Sequence, residues 1–435
     1  MELQERIKDR SASIAVIGLG YVGLPLSVEK AKAGFQVIGV ERNAERVDMV
    51  NRGENYIGDV VAEDLHEAVA GGNLRATDDF SVVADADVLA ICVPTPLDKN
   101  KQPDTSFIEH VLEESLPHIH PGQLIVLEST TYPGTTEEII QPRIESRGFK
   151  IGEDVFLAFS PERVDPGNAH FKTRNTPKIV GGVTQACTDT AAELYEQILE
   201  SPVCRVSSPR VAEMAKLLEN VFRIVNISLV NELALLCERM RIDIWEVIEA
   251  AKTKPFGYMP FYPGPGLGGH CIPLDPFYLS WKAREYDFST RFIELAGEIN
   301  DLMPYHVVER AMEILNRDGK ALRGSRVLLL GMAYKRDIDD VRESASLKVA
   351  AQLRRHGADI AYHDPHVSAV KIGEESLDSI DLTDETLAEQ DLVIVMTAHT
   401  NVDYERVVRS GILVFDTRNA TAGILGENVI RLGVG

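Results

Sequence analysis

The stretch Gly18-Leu19-Gly20-Tyr21-Val22-Gly23 decides the fold of the N-terminal half of the chain. It lies between an apolar strand predicted at 14–17 and a helix predicted at 24–33, and a second predicted strand ends at Glu41. Glycines in such a strand–turn–helix unit allow a tight turn and let a pyrophosphate approach the helix N-terminus. A carboxylate about twenty residues further on accepts from a ribose 2′-hydroxyl and would repel a 2′-phosphate. We therefore predict a dinucleotide site, with NAD favoured over NADP, rather than a glycine-rich turn alone.

The alternation of apolar strands and helical runs continues through this half. Polar segments follow three of the strands, and ligands of doubly wound sheets bind beyond the carboxyl ends of strands. These segments are Pro94-Thr95-Pro96, Glu128 to Gly134, and Ser160 to Gly167. Their alternative explanations are helix N-caps for the hydroxyl groups and a surface ion pair between Glu162 and Arg163.

The middle of the chain has a helical pattern. A long helix is predicted from Val211 to about Arg239, and its length suggests a spine between domains or a subunit contact. Lys216 and Asn220 share one face of it, which makes them candidates for a site as much as for a solvated surface. A later helical run, from 292 to about 315, is expected to kink or end at Pro304.

The stretch from Pro263 to Pro276 places one thiol, Cys271, among glycines and prolines, with Asp275 four residues later. Glycine permits close approach to a ligand, and proline limits the freedom of the backbone. We expect 254–275 to form a loop that presents Cys271 as a covalent nucleophile. The alternative is a structural turn with an inert buried cysteine.

The α/β alternation returns near Arg326 without a second glycine-rich fingerprint. Lys335 and Arg342 follow a strand predicted at 327–330, and their charges suit a phosphate. The alternative is a loop of ion pairs with the neighbouring aspartates. The predicted fold is therefore α/β, with two doubly wound Rossmann-like domains joined by a central helical domain with a long spine helix. The predicted boundaries are 1–205, 206–318 and 319–435.

Composition limits the partners of the chain. A net charge of −22 argues against nucleic-acid binding, which requires a basic face. The sequence has no apolar run long enough for a membrane span and no N-terminal secretion signal, so no membrane partner is predicted. Five scattered cysteines fit a reducing cytoplasm, and no metal-ligand spacing is present.

Together these motifs resemble the UDP-sugar 6-dehydrogenase family, which includes UDP-glucose and UDP-N-acetylhexosamine dehydrogenases. The resemblance extends from about Ile14 to about Thr417. It rests on Gly18 to Pro25, 93–96, 128–130, 160–162, the helix with Lys216 and Asn220, 268–275 and 340–344. It implies NAD-dependent oxidation of a sugar C6 alcohol to a carboxylate and a supply of nucleotide sugars for surface polysaccharide. The long apolar helix from about Val211 predicts a homodimer or higher homo-oligomer.

The resemblance also assigns roles to residues. Cys271 is expected to capture the aldehyde as a thiohemiacetal, which becomes a thioester. Lys216 and Asn220 are expected to stabilise negative oxygen, Thr130 and Asp275 to hold water, and Glu162 to act as general base. The expected cofactor contacts are Gly18, Gly20, Tyr21, Val22, Gly23, Glu41, Arg42, Pro94, Thr95 and Thr130. The expected substrate contacts are Glu162, Arg163, Lys216, Asn220, Tyr262, Gly268, Lys335 and Arg342.

The form Ser160-Pro161-Glu162-Arg163-Val164 resembles the N-acetylhexosamine branch more than the glucose branch. Residues 132–137 resemble the N-acetylglucosamine and N-acetylgalactosamine members, so UDP-GlcNAc is the first expectation. UDP-ManNAc, UDP-GalNAc and UDP-glucose stay open as alternatives. Two other classes are less favoured: an NAD-using epimerase, which needs no covalent cysteine, and a non-catalytic dinucleotide sensor.

Overall fold

A computed structural model describes residues 2–435 except Asp59, Lys99, Pro166, Ala169 and His270. The chain forms two compact units. The first contains the residues up to Glu219 together with Phe277–Phe288, and the second contains Asn220–Pro276 and Ser289–Gly435.

An eight-stranded sheet forms the centre of the first unit. Its strands are β1 (Ser13–Ile17), β2 (Gln36–Val40), β3 (Leu74–Thr77), β4 (Val88–Ile91), β5 (Leu124–Leu127), β6 (Phe156–Phe159), β7 (Lys178–Gly182) and β8 (Val203–Val206). Their order is β3-β2-β1-β4-β5-β6-β7-β8, parallel except between β6 and β7. The order reverses between β1 and β4, so a ligand crevice is expected beyond the carboxyl ends of these two strands.

Helices accompany this sheet, and its central strands are apolar on both faces because both faces are covered. The helices of the N-terminal half are α1 (Glu2–Lys8), α2 (Gly23–Lys32), α3 (Ala44–Asn51), α4 (Ala62–Ala70), α5 (Ser106–Ser115), α6 (Gln141–Glu145) and α7 (Gln185–Ile198). A π-helical turn, Thr136–Ile140, leads into α6. Two helices belong to both units: α8 (Pro209–Met240), and α10 (Cys271–Ala283).

A parallel five-stranded sheet forms the core of the second unit. Its strands are β9 (Arg326–Leu330), β10 (Asp359–His363), β13 (Leu392–Val395), β14 (Leu413–Asp416) and β15 (Val429–Arg431), in the order β10-β9-β13-β14-β15. A separate antiparallel pair consists of β11 (Ala369–Ile372) and β12 (Glu375–Asp378). The remaining helices are α9 (Ile244–Lys252), α11 (Arg291–Arg317), α12 (Ala345–Arg355), α13 (Asp384–Ala388) and α14 (Tyr404–Arg409).

One local prediction is wrong, and of the two outcomes predicted at Pro304, a kink or an end, the end is excluded. Residues Cys271 to Asp275 form the first turns of α10 and not the end of a loop. Proline is tolerated near a helix start because the first N–H groups have no intrahelical partner, and Pro273 is the third residue of α10. Pro304 does not end α11, which continues to Arg317. The predicted domain boundaries at 205/206 and 318/319 stay predictions.

Helix α8 carries an exposed apolar stripe along its whole length. The exposed members recur at intervals of three, four or seven residues: Val211, Met214, Leu218, Phe222, Leu229, Leu233, Leu236 and Met240. By length and composition α8 is the one described helix that could cross a membrane, but core helices pass the same test. Glu213, Lys216 and Asn220 are buried on it, and such groups are costly in hydrocarbon.

We expect the α8 stripe to be covered by a second copy of the chain. A continuous apolar surface of this kind is typical of an association site. Sedimentation velocity at micromolar concentration should give a dimer or a higher oligomer. Leu229→Glu, in the middle of the stripe, should shift the protein towards monomer. A wild-type monomer at this concentration would contradict the expectation.

Candidate active site

The three glycines of the first turn serve different purposes. Gly18 has φ of 90°, and a Cβ there would lie 2.8 Å from the carbonyl oxygen of Cys92. A Cβ on Gly23 would overlap the carbonyl oxygen of Gly18. Gly20, by contrast, has nothing within 4 Å of its Cβ position. Gly18 and Gly23 are thus needed for the turn itself, whereas Gly20 leaves open space at the N-terminus of α2, where a pyrophosphate fits.

Glu41 is tied to this turn. It is 9% exposed, and its Oε2 accepts from the backbone N–H of Leu19 at 3.1 Å while Oε1 accepts from that of Asn43 at 3.0 Å. Tyr56 donates to the carbonyl of Leu19 at 2.7 Å, and burial, with the charge of Glu41, raises the pKa of Tyr56 to about 12. The carboxylate therefore lies at the end of β2 beside the glycine turn, which agrees with a ribose-binding position.

The other predicted cofactor contacts lie in the first unit, on the segments that follow β1, β2, β4 and β5. Tyr21 and Arg42 are exposed, and the Arg42 guanidinium lies over the ring of Phe107 at 5.5 Å. Val22 is half-buried and Pro94 is exposed. Buried Thr95 donates to the carbonyl of Thr130 at 2.6 Å, which joins the segments after β4 and β5. The open space at Gly20, the acid at the end of β2 and these two segments fit NAD.

We expect NAD to support turnover and NADP to support it at least about tenfold less well in kcat/KM, a difference of about 1.4 kcal/mol. The reason is the repulsion between the Glu41 carboxylate and a 2′-phosphate. Initial NADH or NADPH formation, measured at matched concentrations, tests this. Equal use of both cofactors would show that Glu41 does not face the ribose.

Cys271 lies where a helix begins. It is exposed and is the first residue of α10, where the helix dipole favours negative charge. Asp275 follows one turn later on the same face and is buried. The buried amide of Asn220, on α8, donates to Asp275 Oδ2 at 2.7 Å. The second unit thus brings together three of the predicted catalytic residues, while His270 lies outside the described residues.

The segment before Cys271 is held from several sides. Asn231 on α8 accepts from the N–H of Gly264 at 2.9 Å, and Asn300 on α11 accepts from that of Leu267 at 2.5 Å. The N–H of Gly269 donates to the carbonyl of Arg342 at 2.9 Å. The segment is therefore fixed by two buried amide side chains and by the loop that carries the predicted phosphate ligands.

Glycine is required where that segment meets Tyr334. A Cβ on Gly268 would lie 2.6 Å from Cβ of Tyr334, and a Cβ on Gly269, where φ is 82°, would lie 2.8 Å from its ring. Gly268 was predicted to contact substrate. The structure gives it a packing role against the 334–344 loop, which is compatible with a ligand nearby.

The remaining predicted catalytic groups lie in the first unit. Lys216 is buried on α8, and Thr130 is half-buried after β5. Glu213, on the same face as Lys216, accepts from the N–H groups of Gly134 and Thr136 at 2.6 and 3.0 Å, and burial raises its pKa. Glu213 therefore fixes the segment that follows Thr130. That Lys216, Thr130 and Glu162 meet Cys271 stays a prediction.

The suggested ion pair between Glu162 and Arg163 is wrong. The Arg163 guanidinium binds Glu219 at 2.6 and 3.3 Å and the carbonyl of Pro177 at 2.7 Å. Glu162 Oε1 accepts from the backbone N–H groups of Arg163 and Val164. These bonds occupy three of the five N–H groups of an arginine, so the predicted role of Arg163 in substrate binding stays a prediction.

The loop after β9 repeats the plan of the first glycine turn. Gly331 has φ of 90°, and the backbone N–H groups of Met332 and Ala333 donate to Asp364 at 2.6 and 3.0 Å. Asp364 directly follows β10, as Glu41 follows β2. Although burial opposes its charge, hydrogen bonds from His399 and from backbone N–H groups lower the pKa of Asp364 to about 2. An ionised carboxylate thus holds a loop whose later residues include Lys335 and Arg342.

The alternative interpretation of this loop, a set of ion pairs, is confirmed for Arg342, while phosphate binding by Lys335 and Arg342 stays a prediction. Arg342 is exposed and pairs with Asp340 through Nε at 3.0 Å and Nη2 at 2.6 Å, as the alternative suggested. Lys335 is half-buried on the same loop. Sequence reasoning missed Arg418, whose guanidinium packs directly against Gly264 and whose pKa is lowered to about 10 by burial. The sequence signal that could have identified Arg418 is its position two residues after β14, beyond the carboxyl end of a strand.

We expect Arg342→Ala to weaken UDP-sugar binding by about 1.5 kcal/mol or more and to leave NAD binding unchanged, because the two predicted sites lie on different sheets. The pair with Asp340 reduces the gain from a phosphate contact, so the lower end of the usual range applies. Calorimetric titration with each ligand measures this. Equal loss of both affinities would indicate misfolding instead.

Two further predictions concern the second unit. Tyr262 was predicted to contact substrate, but its hydroxyl donates to Glu249 at 2.9 Å on α9, so its role stays a prediction. No metal site was predicted, and the described residues include one trio, Asp337, His366 and His399, with ligand atoms within 4.8 Å of one another. His399 already uses both nitrogens, towards Asp364 and towards the N–H of Asp337, so an ion would break one of these bonds.

Comparison with known proteins agrees with this geometry. Three models of the UDP-glucose/GDP-mannose dehydrogenase family match successive parts of the chain: the NAD binding domain at 12–199, the central domain at 210–302 and the UDP binding domain at 328–423. A UDP-N-acetyl-D-mannosamine dehydrogenase of Escherichia coli K12 is 35% identical over 402 residues, which cover 89% of this chain and 94% of the relative.

Two other similar proteins have related names. A UDP-N-acetyl-D-glucosamine 6-dehydrogenase of Pseudomonas aeruginosa is 36% identical over 361 residues, which cover 83% of this chain and 84% of the relative. The solved structure of a UDP-D-ManNAc dehydrogenase from Pyrococcus horikoshii has a TM-score of 0.88 and 31% identity, and the match covers 97% of this chain and 99% of that one.

A glycine turn with an acid at the next strand end is typical of an NAD-binding domain, and the three matched domains together define an NAD-dependent dehydrogenase of nucleotide sugars. The chain belongs to the UDP-glucose/GDP-mannose dehydrogenase family. The predictions of the family, of the fold class and of NAD as cofactor are confirmed. The substrate class is a UDP-sugar, to which the third matched domain corresponds.

Proposed function

We propose that the protein oxidises the C6 hydroxyl of a UDP-N-acetylhexosamine, with UDP-GlcNAc as the preferred substrate, to the uronic acid in two successive oxidations. The observation that carries this is the arrangement of Cys271, Asp275 and Asn220 on two helices of the second unit. A thiol at a helix start, beside a buried carboxylate held by an amide, suits the formation and hydrolysis of a thioester. The product would supply surface polysaccharide synthesis.

NAD, when bound, accepts the hydride that leaves C6 in each oxidation. The Cys271 thiolate adds to the C6 carbon of the aldehyde, and the oxygen of the resulting thiohemiacetal becomes the carbonyl of a thioester. Water then adds to that carbonyl, the carbon–sulfur bond breaks, and the thiolate is regenerated with the carboxylate product. The covalent bond retains the half-oxidised sugar between the two oxidations.

The other residues act on protons and charge in this proposal. Lys216 and Asn220 stabilise the oxygen as negative charge develops on it. Glu162 takes the proton of the attacking water, which Thr130 and Asp275 hold. Lys335 and Arg342 bind the diphosphate, and half-buried Arg418 is a further candidate for this role.

The choice of sugar rests on sequence segments 132–137 and 160–164. The names of the similar proteins include both N-acetylmannosamine and N-acetylglucosamine dehydrogenases, so they do not decide between epimers. UDP-ManNAc, UDP-GalNAc and UDP-glucose are therefore the alternatives. An epimerase is disfavoured because it has no use for an exposed cysteine at a helix start.

The test is a panel of UDP-GlcNAc, UDP-GalNAc, UDP-ManNAc and UDP-glucose, with NADH absorbance and the amount of sugar consumed as readouts. Two NADH per UDP-GlcNAc consumed, with the highest kcat/KM in the panel, is the expected result. Two NADH with another sugar would correct the substrate only. One NADH per sugar would indicate a simple alcohol dehydrogenase, and none would indicate an epimerase or a sensor.

A further inference from the structure

A buried cluster of charged side chains lies at the end of β5 in the first unit. Glu128, the residue after β5, is 1% exposed. Its Oε2 accepts from Lys178 Nζ at 2.6 Å, and its Oε1 faces Lys30 Nζ at 3.4 Å and accepts from the Tyr195 hydroxyl at 2.5 Å. The four residues come from the β5 end, β7, α2 and α7. Two lysines so close to one carboxylate are uncommon in a protein interior.

The ionisation of this cluster follows from its contacts. Burial opposes the charge of Glu128, yet the attraction of Lys178 and Lys30 lowers its pKa. Burial likewise opposes the charge of Lys178, yet Glu128 and Glu162 raise its pKa. Burial, with the charge of Glu128, raises the pKa of Tyr195 well above its ordinary value, so its phenol is a neutral donor. One carboxylate thus faces two lysines, and the cluster lacks one negative charge.

Glu162 supplies the missing negative charge. Its Oε2 lies 3.6 Å from Lys178 Nζ, which also donates to the carbonyl of Pro161 at 3.4 Å. Its Oε1 is held by two backbone N–H groups, those of Arg163 and Val164, at 2.8 and 2.9 Å. The contact with Lys178 on one oxygen and the two backbone bonds on the other therefore hold the Glu162 carboxyl group in one orientation.

The other groups around Glu162 in the first unit do not replace Lys178. The Arg163 guanidinium is turned to Glu219 and to the carbonyl of Pro177. Burial, and then the charge of Glu128, raises the pKa of the Cys92 thiol, which is therefore neutral. Glu128 lies on the other side of Lys178 and would by itself oppose a second carboxylate.

We propose that Lys178 is a positioning residue that keeps the Glu162 carboxylate aimed for proton transfer. This inference rests on the proposed role of Glu162 as general base. Lys178 does not touch the substrate in this proposal. It acts through Glu162, and the Lys30–Glu128–Tyr195 part of the cluster keeps Lys178 itself in place.

The test compares two buried lysines that contact the same carboxylate. Lys178→Met and Lys30→Met each remove one cation from Glu128, so both should lower the urea midpoint of unfolding. Only Lys178→Met should lower kcat, by about tenfold or more, with an unchanged KM for the UDP-sugar, because a displaced carboxylate is no longer aimed at the proton it accepts. Lys178→Arg, which keeps the charge, should restore most of the wild-type kcat.

Lys178→Gln provides a second neutral variant in case Lys178→Met does not fold, since the amide still donates to Glu128. If both neutral variants at position 178 keep the wild-type kcat, or if Lys30→Met lowers it equally, the proposal is wrong. Glu162→Gln combined with Lys178→Gln adds a test that needs no turnover. Their effects on the urea midpoint should be non-additive, and additive effects would overturn the proposal.

Different results would contradict the proposed function and the proposed role of Lys178. A wild-type protein that forms no NADH with any UDP-sugar contradicts the proposed function, whatever the variants do. An active wild-type protein with equal kcat values for Lys178→Met and Lys30→Met contradicts only the role of Lys178.

Discussion

Replacement of Cys271 by serine should stop the two-step production of NADH without loss of the fold. Cys271 is exposed at the first position of α10, so a serine loses no packing and is well suited to a helix start. A serine hydroxyl is a much weaker nucleophile at neutral pH. We expect steady-state NADH formation to fall roughly a thousandfold or more, as when other covalent nucleophiles are removed. Binding of UDP-sugar and NAD should remain.

The control for this variant is Cys204→Ser, at the other exposed cysteine of the described residues. Cys204 lies on β8 of the first unit and should tolerate serine with little change in rate. Mass spectrometry of the wild-type protein after brief exposure to substrate and NAD should detect a sugar adduct on the peptide that contains Cys271. Full turnover with two NADH by Cys271→Ser would exclude the covalent mechanism.

Alanine at two glycines of the first turn should have different effects, one on stability and the other on NAD binding. Gly23→Ala should destabilise the first unit by about 3 kcal/mol or more, because the new methyl group would overlap the backbone of Gly18. Gly20→Ala should leave stability unchanged, because its Cβ position is open. It should still weaken NAD binding by about tenfold or more, or about 1.4 kcal/mol, because the methyl group takes the space of the pyrophosphate.

Urea unfolding and calorimetric titration with NAD separate these effects. Each variant adds one methyl group to the same turn at a different position, so each is the control for the other. If Gly20→Ala binds NAD as the wild type does, the pyrophosphate does not approach this residue. If Gly20→Ala is destabilised as much as Gly23→Ala, the space at the Gly20 Cβ position is not open in solution.

Local patterns in the sequence were sufficient to predict much of the fold. The strands predicted at 124–127 and 156–159 agree with β5 and β6, and the glycine turn with Glu41 lies where its spacing indicated. Such features depend on neighbouring residues, because each strand is a short apolar run and each turn follows it at once. The start of α10 was missed because glycines and prolines before and within it predicted a loop.

The partners of individual charges could not be predicted in this way. Lys178 faces Glu162 across 16 residues of sequence, and Glu219 binds Arg163 across 56. Nothing in the local pattern around Glu162 or Arg163 indicates either partner, because these contacts depend on how strands and helices come together. Arg342 and Asp340 are two residues apart, so the sequence did offer a local signal for their pair.

The bond from Gly269 to the carbonyl of Arg342, with Tyr334 packed on Gly268 and Gly269, has a consequence for protein engineering. Consider a chimera in which the C-terminal sheet comes from a relative with another sugar preference. Residues of that relative would then contact the native segment that precedes α10. A different side chain at 334 or a shifted backbone at 342 would displace Cys271 even when every catalytic residue is retained. Recombination breakpoints should therefore keep 263–271 and 331–344 from the same parent.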